Sequence, residues 1–267
     1  MTLAYERRGT GSPLILFHGI GHRWQAWEPV FDLLAEHHDV IAVDLPGFGR
    51  SPLPADGPPD TLDALVAEVS RWLLDDMGIE RPHVAGNSLG GAVALELAKA
   101  GMVSTVTALS PAGFFRGWEI RWALSILRSL RAASHLPEPV LKVASDVRWL
   151  RALSFGLLVA HPSRLSAEQA LGDTLALRDA SSFGSLAHGA ARYEFRGHPG
   201  VPVTIAWGTR DRILLPRQAE RAARRMPEAR HVTLPRCGHV PMSDAPDLVA
   251  SIILATTAAS ARGQATA

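Results

Sequence analysis

Apolar residues along this chain fall into short consecutive runs that alternate with stretches of helical periodicity. Six runs are rich in valine, isoleucine and leucine and end in glycine or a polar residue, at 13–19, 39–47, 83–88, 106–113, 201–211 and 231–239. Consecutive apolar positions of this kind suit strands buried on both faces, as in a parallel sheet. Between these runs apolar residues recur at helical spacing, at 26–37, 61–78, 92–101 and 215–226. The alternation predicts an α/β fold with a doubly wound, mostly parallel sheet flanked by helices.

The alternation stops between residues 115 and 197, where leucine, alanine and arginine recur at helical spacing. No strand-like run bounded by turn residues is found there. We therefore expect an inserted all-helical segment at 115–197, within a core formed by 1–114 and 198–256. Residues 257–267 lack apolar periodicity and are expected to form a flexible C-terminal tail.

Composition and charge argue against several classes of function. Lys and Arg total 27 against 26 acidic residues, for a net charge of +1, without the basic excess of a nucleic-acid-binding surface. The single cysteine, Cys237, cannot form an internal disulfide, and the N-terminus lacks the apolar segment of a signal peptide. No apolar run is long enough to span a membrane. We expect a cytoplasmic protein with no membrane span and no nucleic-acid partner.

A serine surrounded by small residues is the first candidate for chemistry. Ser88 follows an apolar run and precedes a helical stretch, in the pattern Gly86-Asn87-Ser88-Leu89-Gly90. A strained strand-to-helix turn requires positive φ at its centre and tiny neighbours on either side. Such a turn exposes a nucleophile and aims the first N–H groups of the helix at it. The alternative is a helix cap, a common role for serine.

A serine nucleophile requires a base, and the base requires an orienting carboxylate. His239 closes the last strand-like run, and Asp211 ends the preceding one. Functional groups of open parallel sheets gather at the carboxyl ends of strands, which is where both residues are expected. Taken singly, His239 could be an ordinary core or surface histidine and Asp211 a turn cap. The chain order serine, aspartate, histidine matches one known triad arrangement.

The chain resembles the α/β-hydrolase fold superfamily, in its compact bacterial form with a helical cap. The resemblance covers nearly the whole chain and rests on five motifs in order: HGIG, DLPGFGRS, GNSLGG, GTRD and CGHVP. It implies that Ser88 is the nucleophile, His239 the general base and Asp211 the acid. It also implies an oxyanion hole formed by the backbone N–H groups of Ile20 and Leu89.

The resemblance has further consequences for individual segments. Asp44 in DLPGFGRS is expected to be structural, organising a turn with Gly47, Gly49 and Ser51. Only LAYERRG precedes the first apolar run, so the strand that usually opens the family's sheet is expected to be missing or very short. The sequence of the inserted helices matches no subfamily.

The chemistry implied is hydrolysis of a small, largely apolar carboxylic ester or lactone through an acyl-enzyme. Haloalkane dehalogenases and epoxide hydrolases, which resemble this chain, use an aspartate nucleophile in place of Ser88. A carbon–carbon bond hydrolase of the meta-cleavage type is an alternative. Such enzymes generally carry a Gly-Gly-Pro-Gly loop and a tryptophan where this chain has HGIG and Val240. A non-hydrolytic ligand-binding member of the fold is the other alternative.

Substrate-binding residues are expected near the catalytic strand ends. The residues predicted there are Trp24, Phe114, Val240 and Met242. Side chains of the insertion could also line an apolar cavity or simply pack the helices, namely Trp118, Trp122, Trp149, Phe155 and Leu158. Its arginines Arg121, Arg128 and Arg151 could meet a substrate carboxylate or lie in solvent. Neither a metal-ligand cluster nor a phosphate-binding glycine loop is evident, so no metal or cofactor is expected.

Overall fold

The computed structural model of the protein describes residues 2–264, which form a seven-stranded sheet with helices on both faces. In chain order the strands are β1 (Tyr5–Arg8), β2 (Pro13–Phe17), β3 (Asp39–Val43), β4 (His83–Asn87), β5 (Thr105–Leu109), β6 (Val203–Gly208) and β7 (Arg230–Leu234). Their spatial order is β1-β3-β2-β4-β5-β6-β7, and every pair except β1·β3 is parallel. The predicted fold class is confirmed.

The helices that accompany the strands are α1 (Glu28–Ala35), α2 (Leu62–Arg71), α3 (Leu89–Lys99), α9 (Arg217–Arg225), α10 (Pro241–Asp244) and α11 (Pro246–Gln264). Two short 3-10 helices, Trp24–Trp27 and Pro162–Arg164, and a π-helical turn, Trp72–Asp76, complete the connections. Alternate residues of β2 enter opposite cores: Ile15 and Phe17 join the cluster that contains α2 and α3, whereas Leu14 and Leu16 join that of α1 and α11. The consecutive apolar runs therefore reflect burial of both sheet faces.

Five α-helices connect β5 to β6, in the region where the sequence predicts a helical insertion. They are α4 (Gly117–Ser134), α5 (Glu138–Asp146), α6 (Arg148–Phe155), α7 (Ala167–Asp179) and α8 (Phe183–Ala190). Helix α7 begins with a capping box, in which Ser166 Oγ accepts the Gln169 N–H and Gln169 Oε1 accepts the Ser166 N–H, both at 3.0 Å. At the start of α4, buried Glu119 contacts Arg221 and Arg217 of α9, which ties the insertion to the core.

The N-terminal strand is short, as the sequence indicates. The four residues of β1 pair antiparallel with β3, with Tyr5 opposite Val43. Arg7 donates two hydrogen bonds to the carboxylate of Asp39, at 2.8 and 2.7 Å. The short strand β1 and its bidentate ion pair with β3 therefore form this edge of the sheet.

The C-terminal segment differs from the expected flexible tail. Helix α11 continues to Gln264, so residues 257–264 are helical, while 265–267 lie outside the described residues. Two threonines of this helix have hydrogen-bond partners in the core. The Thr256 hydroxyl donates to Thr204 Oγ1 at 2.7 Å, and Thr257 Oγ1 lies 3.0 Å from His38 Nε2. These tertiary hydrogen bonds allow polar residues to occupy a buried helix face.

Two histidines pack together at the amino-terminal end of the parallel strands. The rings of His38 and His83 are 5.4 Å apart, and each is hydrogen-bonded: His38 Nδ1 to Ser12 Oγ and His83 Nδ1 to Thr105 Oγ1, both at 2.9 Å. Burial lowers the pKa of His38, and it lowers the pKa of His83 to about 4, with a further contribution from the neighbouring ring. Both side chains are therefore neutral in the native state at pH 7.

This cluster predicts a loss of stability in mild acid. Between pH 6.5 and 4, His83 is protonated in the unfolded chain but stays neutral in the native state. The contribution of His83 to the free energy of unfolding is therefore fully present above pH 6.5 and is lost as the pH falls toward 4. We expect His83→Gln, which keeps a hydrogen-bonding amide beside Thr105, to flatten the slope of stability against pH in that interval. Urea denaturation of both proteins at several pH values measures it. Equal slopes of stability against pH in the two proteins would contradict the assignment of this acid sensitivity to His83.

Candidate functional site

Ser88 lies in a strained turn between β4 and α3. Its φ of +56° falls in the left-handed region, and the flanking glycines have no room for a side chain. A Cβ atom on Gly90 would lie 2.1 Å from the Phe17 carbonyl oxygen, and one on Gly86 would lie 2.1 Å from the carbonyl oxygen of Gly90. The glycines of the motif are therefore required by contact between backbones. The turn displays the Ser88 side chain above the end of the sheet.

His239 and Asp211 meet beside this turn. His239 Nδ1 lies 2.8 Å from Asp211 Oδ2, and both side chains are buried. The other carboxylate oxygen, Oδ1, accepts the N–H groups of Ile213 and Leu214, each at 2.9 Å. Because a carboxylate only accepts, His239 carries its proton on Nδ1, which leaves Nε2 available as a base. Ser88 and His239 line the same cavity, so the structure brings the three predicted residues to one site.

The backbone of His239 is fixed from two sides. Asn87 Nδ2 donates to the His239 carbonyl at 2.9 Å and to the Leu109 carbonyl at 3.1 Å. On the other side, the His239 N–H donates to the Leu158 carbonyl at 2.8 Å. Sequence reasoning did not assign Asn87 a role, although its place inside the serine motif was a signal.

A second residue that sequence reasoning missed is Asp244, at the end of α10. Its carboxylate accepts three backbone N–H groups, from Gly238 at 2.7 Å, Ala160 at 2.9 Å and His161 at 2.8 Å. A buried carboxylate with this many donors stabilises irregular backbone. Asp244 thereby joins the loop that carries the histidine to the loop after α6. Its only sequence signal was an acidic residue five positions after His239.

The loop after β2 carries Gly19 and Ile20 past the serine. A Cβ atom on Gly19 would lie 3.3 Å from Ser88 Cβ, and Ile20 lines the cavity. Leu89 is the first residue of α3, so its N–H group has no acceptor within the helix. The loop and the helix start therefore lie on either side of the turn, where an oxyanion hole would be built.

Buried His18 holds this loop in place. The Leu45 N–H donates to His18 Nε2 at 3.0 Å, so Nε2 is unprotonated and Nδ1–H donates to the Gly19 carbonyl at 2.7 Å. Burial lowers the pKa of His18 to about 4, more than the nearby Asp44 carboxylate raises it. The imidazole is therefore a neutral hydrogen-bonding bridge at pH 7.

Asp44 is structural, as the sequence indicates. Its carboxylate accepts the Trp24 N–H at 2.6 Å and the Arg50 N–H at 2.9 Å. A Cβ atom on Gly49 would lie 2.3 Å from the Asp44 carboxylate carbon, and the Ser51 hydroxyl donates to the Asp44 carbonyl at 2.6 Å. Asp44 therefore fixes the far end of the loop that carries Ile20.

A cavity of about 230 Å³ lies between the sheet and the inserted helices. Ser88, His239 and Ile20 contribute to its wall from the core. Most of the remaining wall is aliphatic or aromatic and comes from the insertion and its connections: Leu127, Leu130, Leu141, Phe155, Leu158, Leu165 and Leu177. An apolar cavity with a few convergent polar groups is typical of small-molecule sites.

The structure corrects most of the predicted substrate-binding residues. Val240 lines the cavity, but Trp24, Phe114 and Met242 do not. Trp24 packs edge-on against Phe31, and Phe114 is fully buried with its ring centroid 5.9 Å from that of Phe195. Met242 is fully buried in the cluster that contains α1 and α11. These three follow the catalytic strands in sequence, but their side chains turn into the core.

Of the side chains that the sequence singled out in the inserted helices, some line the cavity and others do not. Phe155 and Leu158 line the cavity, whereas Trp118, Trp122 and Trp149 are 46, 45 and 68% exposed. The arginines do not face the cavity either: Arg121 and Arg128 are exposed, and buried Arg151 donates to the backbone carbonyls of Ser145 and Asp146.

Two further expectations concern metals and membranes. Within residues 2–264, no group of three or more histidine, cysteine, aspartate or glutamate side chains could hold a metal ion. In the same part of the chain, no helix has both the length and the apolar character needed to cross a membrane.

Known proteins resemble this chain in sequence and in fold. The sequence model of the alpha/beta hydrolase family matches residues 14–252. The uncharacterized protein Rv2715 of Mycobacterium tuberculosis is 29% identical over 263 residues, covering 91% of this chain and 74% of that protein. The pimeloyl-[acyl-carrier protein] methyl ester esterase of Aeromonas salmonicida is 40% identical over 101 residues, which are 37% of this chain and 36% of that protein.

The solved structure of a thermophilic esterase from Thermogutta terrifontis has a TM-score of 0.74 at 22% identity, covering 97% of this chain and 93% of that one. Because the family model spans most of the sequence, the chain belongs to the alpha/beta hydrolase family.

Proposed function

We propose that this hydrolase is a serine esterase that cleaves a small, largely apolar carboxylic ester or lactone. The observation that carries the proposal is the arrangement at one edge of the cavity. A serine with φ of +56° and a histidine hydrogen-bonded to a buried carboxylate line the same apolar space. The reaction class that uses this set of groups is acyl transfer.

The first step forms an acyl-enzyme. His239 Nε2 removes the proton from Ser88 Oγ as the oxygen attacks the ester carbonyl. The N–H groups of Leu89 and Ile20 donate to the oxyanion of the tetrahedral intermediate. The intermediate collapses when the bond to the alcohol oxygen breaks, and the imidazolium returns the proton to the departing alkoxide. Asp211 stabilises the imidazolium and keeps Nε2 directed at the reacting atoms.

The second step releases the acid. Water takes the place of the alcohol, His239 Nε2 removes one of its protons, and the hydroxide attacks the acyl carbonyl. The second tetrahedral intermediate expels Ser88 Oγ, which regains a proton from the imidazolium. The enzyme returns to its starting state with one water consumed, one acid formed and one alcohol formed.

The inserted helices act as a cap over this chemistry. Their leucines and Phe155 supply the apolar wall of the cavity, which favours the acyl part of an ester over water. Excluding water also strengthens the hydrogen bonds to the oxyanion. The cap, at 115–197, would therefore determine which acyl groups are accepted.

The proposal predicts that Ser88→Ala abolishes ester hydrolysis. Initial rates on p-nitrophenyl esters of increasing acyl length should fall by roughly 10⁴-fold or more in the variant, because the residual rate comes only from binding and the oxyanion donors. Ser251→Ala is the matched control, since Ser251 is exposed on α11 and its hydroxyl donates to the Leu248 carbonyl. Absence of turnover by the native protein on every chain length would contradict the esterase assignment. That result would favour carbon–carbon bond hydrolysis or ligand binding.

A second prediction concerns Asp211→Asn. The asparagine Oδ1 can still accept the Ile213 and Leu214 N–H groups, so the fold should be kept. Its NH₂ group would then face His239 Nδ1, which forces the ring proton onto Nε2 and removes the base. We expect kcat to fall by about 10⁴-fold, with a much smaller change in KM. Steady-state kinetics and circular dichroism of both proteins measure this. A variant with near-native kcat would show that the carboxylate plays no part in turnover.

A further inference from the structure

The largely apolar cavity beside Ser88 also has polar side chains on its wall: several serines, Thr174, and the pair formed by His22 and Asp173. His22 follows the loop that carries Ile20, and Asp173 lies on α7. Both line the cavity, and their side chains are 20 and 14% exposed. A carboxylate in such surroundings normally has close hydrogen-bond donors.

The contacts of this pair are long. His22 Nε2 lies 3.7 Å from Asp173 Oδ2, and Arg23 Nε lies 3.4 Å from Asp173 Oδ1. Hydrogen bonds between nitrogen and a carboxylate oxygen are usually about 2.7–2.9 Å. The carboxylate therefore has capacity left to accept a further donor.

The contacts of His22 with the backbone of Arg23 assign its tautomer. His22 Nδ1 lies 3.1 Å from the Arg23 backbone nitrogen and 3.4 Å from the Arg23 carbonyl oxygen. The shorter contact assigns Nδ1 as the acceptor of the Arg23 N–H and places the ring proton on Nε2. A donor, Nε2–H, and an acceptor, Asp173 Oδ2, thus face each other across a gap that is too wide for a direct hydrogen bond.

Helix α7 and the loop pack closely beside this pair. Gly21 has φ of +74°, and a Cβ atom there would lie 2.4 Å from Leu177 Cδ1. A Cβ atom on Gly172 would lie 2.1 Å from Arg23 Nη2. This close packing places His22 and Asp173 opposite each other on the cavity wall.

We propose that His22 and Asp173 form a subsite for a hydroxyl group on the substrate, so that the preferred esters carry a hydroxylated acyl chain. The hydroxyl oxygen accepts the His22 Nε2–H, and the hydroxyl proton is donated to Asp173 Oδ2. A methylene group at this place leaves both polar groups unsatisfied. A ketone oxygen can accept from His22 but is repelled by the carboxylate, and an ammonium group can donate to Asp173 but is repelled by Nε2–H. This assignment rests on the proposed esterase function.

Matched pairs of substrates test the subsite. Rates of acid release in a pH-stat are compared for ethyl hexanoate and for its 2-, 3- and 6-hydroxy derivatives, which differ only in the hydroxyl. For at least one position we expect the native protein to have kcat/KM about 10- to 100-fold above that of the plain ester, the usual range for a hydrogen bond to a charged group. A preference below about threefold at every position would overturn the subsite.

Variants separate recognition from simple structural support. His22→Phe and the isosteric Asp173→Asn should each bring the ratio of hydroxylated to plain ester close to 1. Asp179→Asn is the matched control, because Asp179 is an exposed carboxylate at the end of the same helix, paired with Arg178. It should keep the native ratio. If the variants slow both esters equally and leave the ratio unchanged, the pair only joins α7 to the loop, and the subsite assignment is wrong.

The experiment also distinguishes failure of the hydroxyl subsite from failure of the esterase function. Turnover of plain and hydroxylated esters at equal rates overturns the subsite and leaves the esterase function intact. Turnover of none of these esters, together with none of the p-nitrophenyl esters, overturns the esterase function on which the subsite depends.

Discussion

Contact between the backbones of β2, β4 and α3 is the constraint on which the site depends. Gly86 and Gly90 allow these segments to touch, and the turn between them holds Ser88 at φ of +56°. A non-glycine residue in this region carries strain of about 1–3 kcal/mol, which persists only when the surroundings impose it. The parallel strands on either side impose it here, because β4 pairs with β5 along its whole length and with β2 from His83 to Gly86. The serine is therefore displayed by the sheet itself.

Around this turn, carboxylates stabilise backbone that has no regular structure. Asp44 accepts N–H groups from the loop before α1 and from its own turn. Asp211 accepts the N–H groups of two residues that follow it, Ile213 and Leu214. Asp244 accepts three N–H groups, one from the histidine loop and two from the loop after α6. Neutral His18 serves the loop after β2 in the same way. Each group removes an unsatisfied backbone donor or acceptor that burial would otherwise penalise. This explains how several loops can converge on one small region and keep fixed positions.

Sequence reasoning succeeded where a local pattern has one structural solution. Consecutive apolar residues predict buried parallel strands, and glycines two positions on either side of Ser88 predict a strained turn. It failed where the outcome depends on packing between distant segments. Trp24, Phe114 and Met242 follow the predicted strands, but their side chains face the core. Helix α11 includes Thr256 and Thr257, which form hydrogen bonds with Thr204 of β6 and with His38 before β3. The positions of Asn87 and Asp244 depend on contacts with backbone, which leave little trace in sequence. The roles of the triad and of the oxyanion donors stay predictions.

The central claim is that Ser88 is a nucleophile activated by His239, and covalent labelling tests it most directly. The native protein would be incubated with a fluorophosphonate and digested, and the modified peptide identified by mass spectrometry. The account predicts one adduct per chain, on Ser88, which forms far more slowly in His239→Ala. No adduct on the native protein, an adduct on another residue, or equal labelling rates in the two proteins would contradict it.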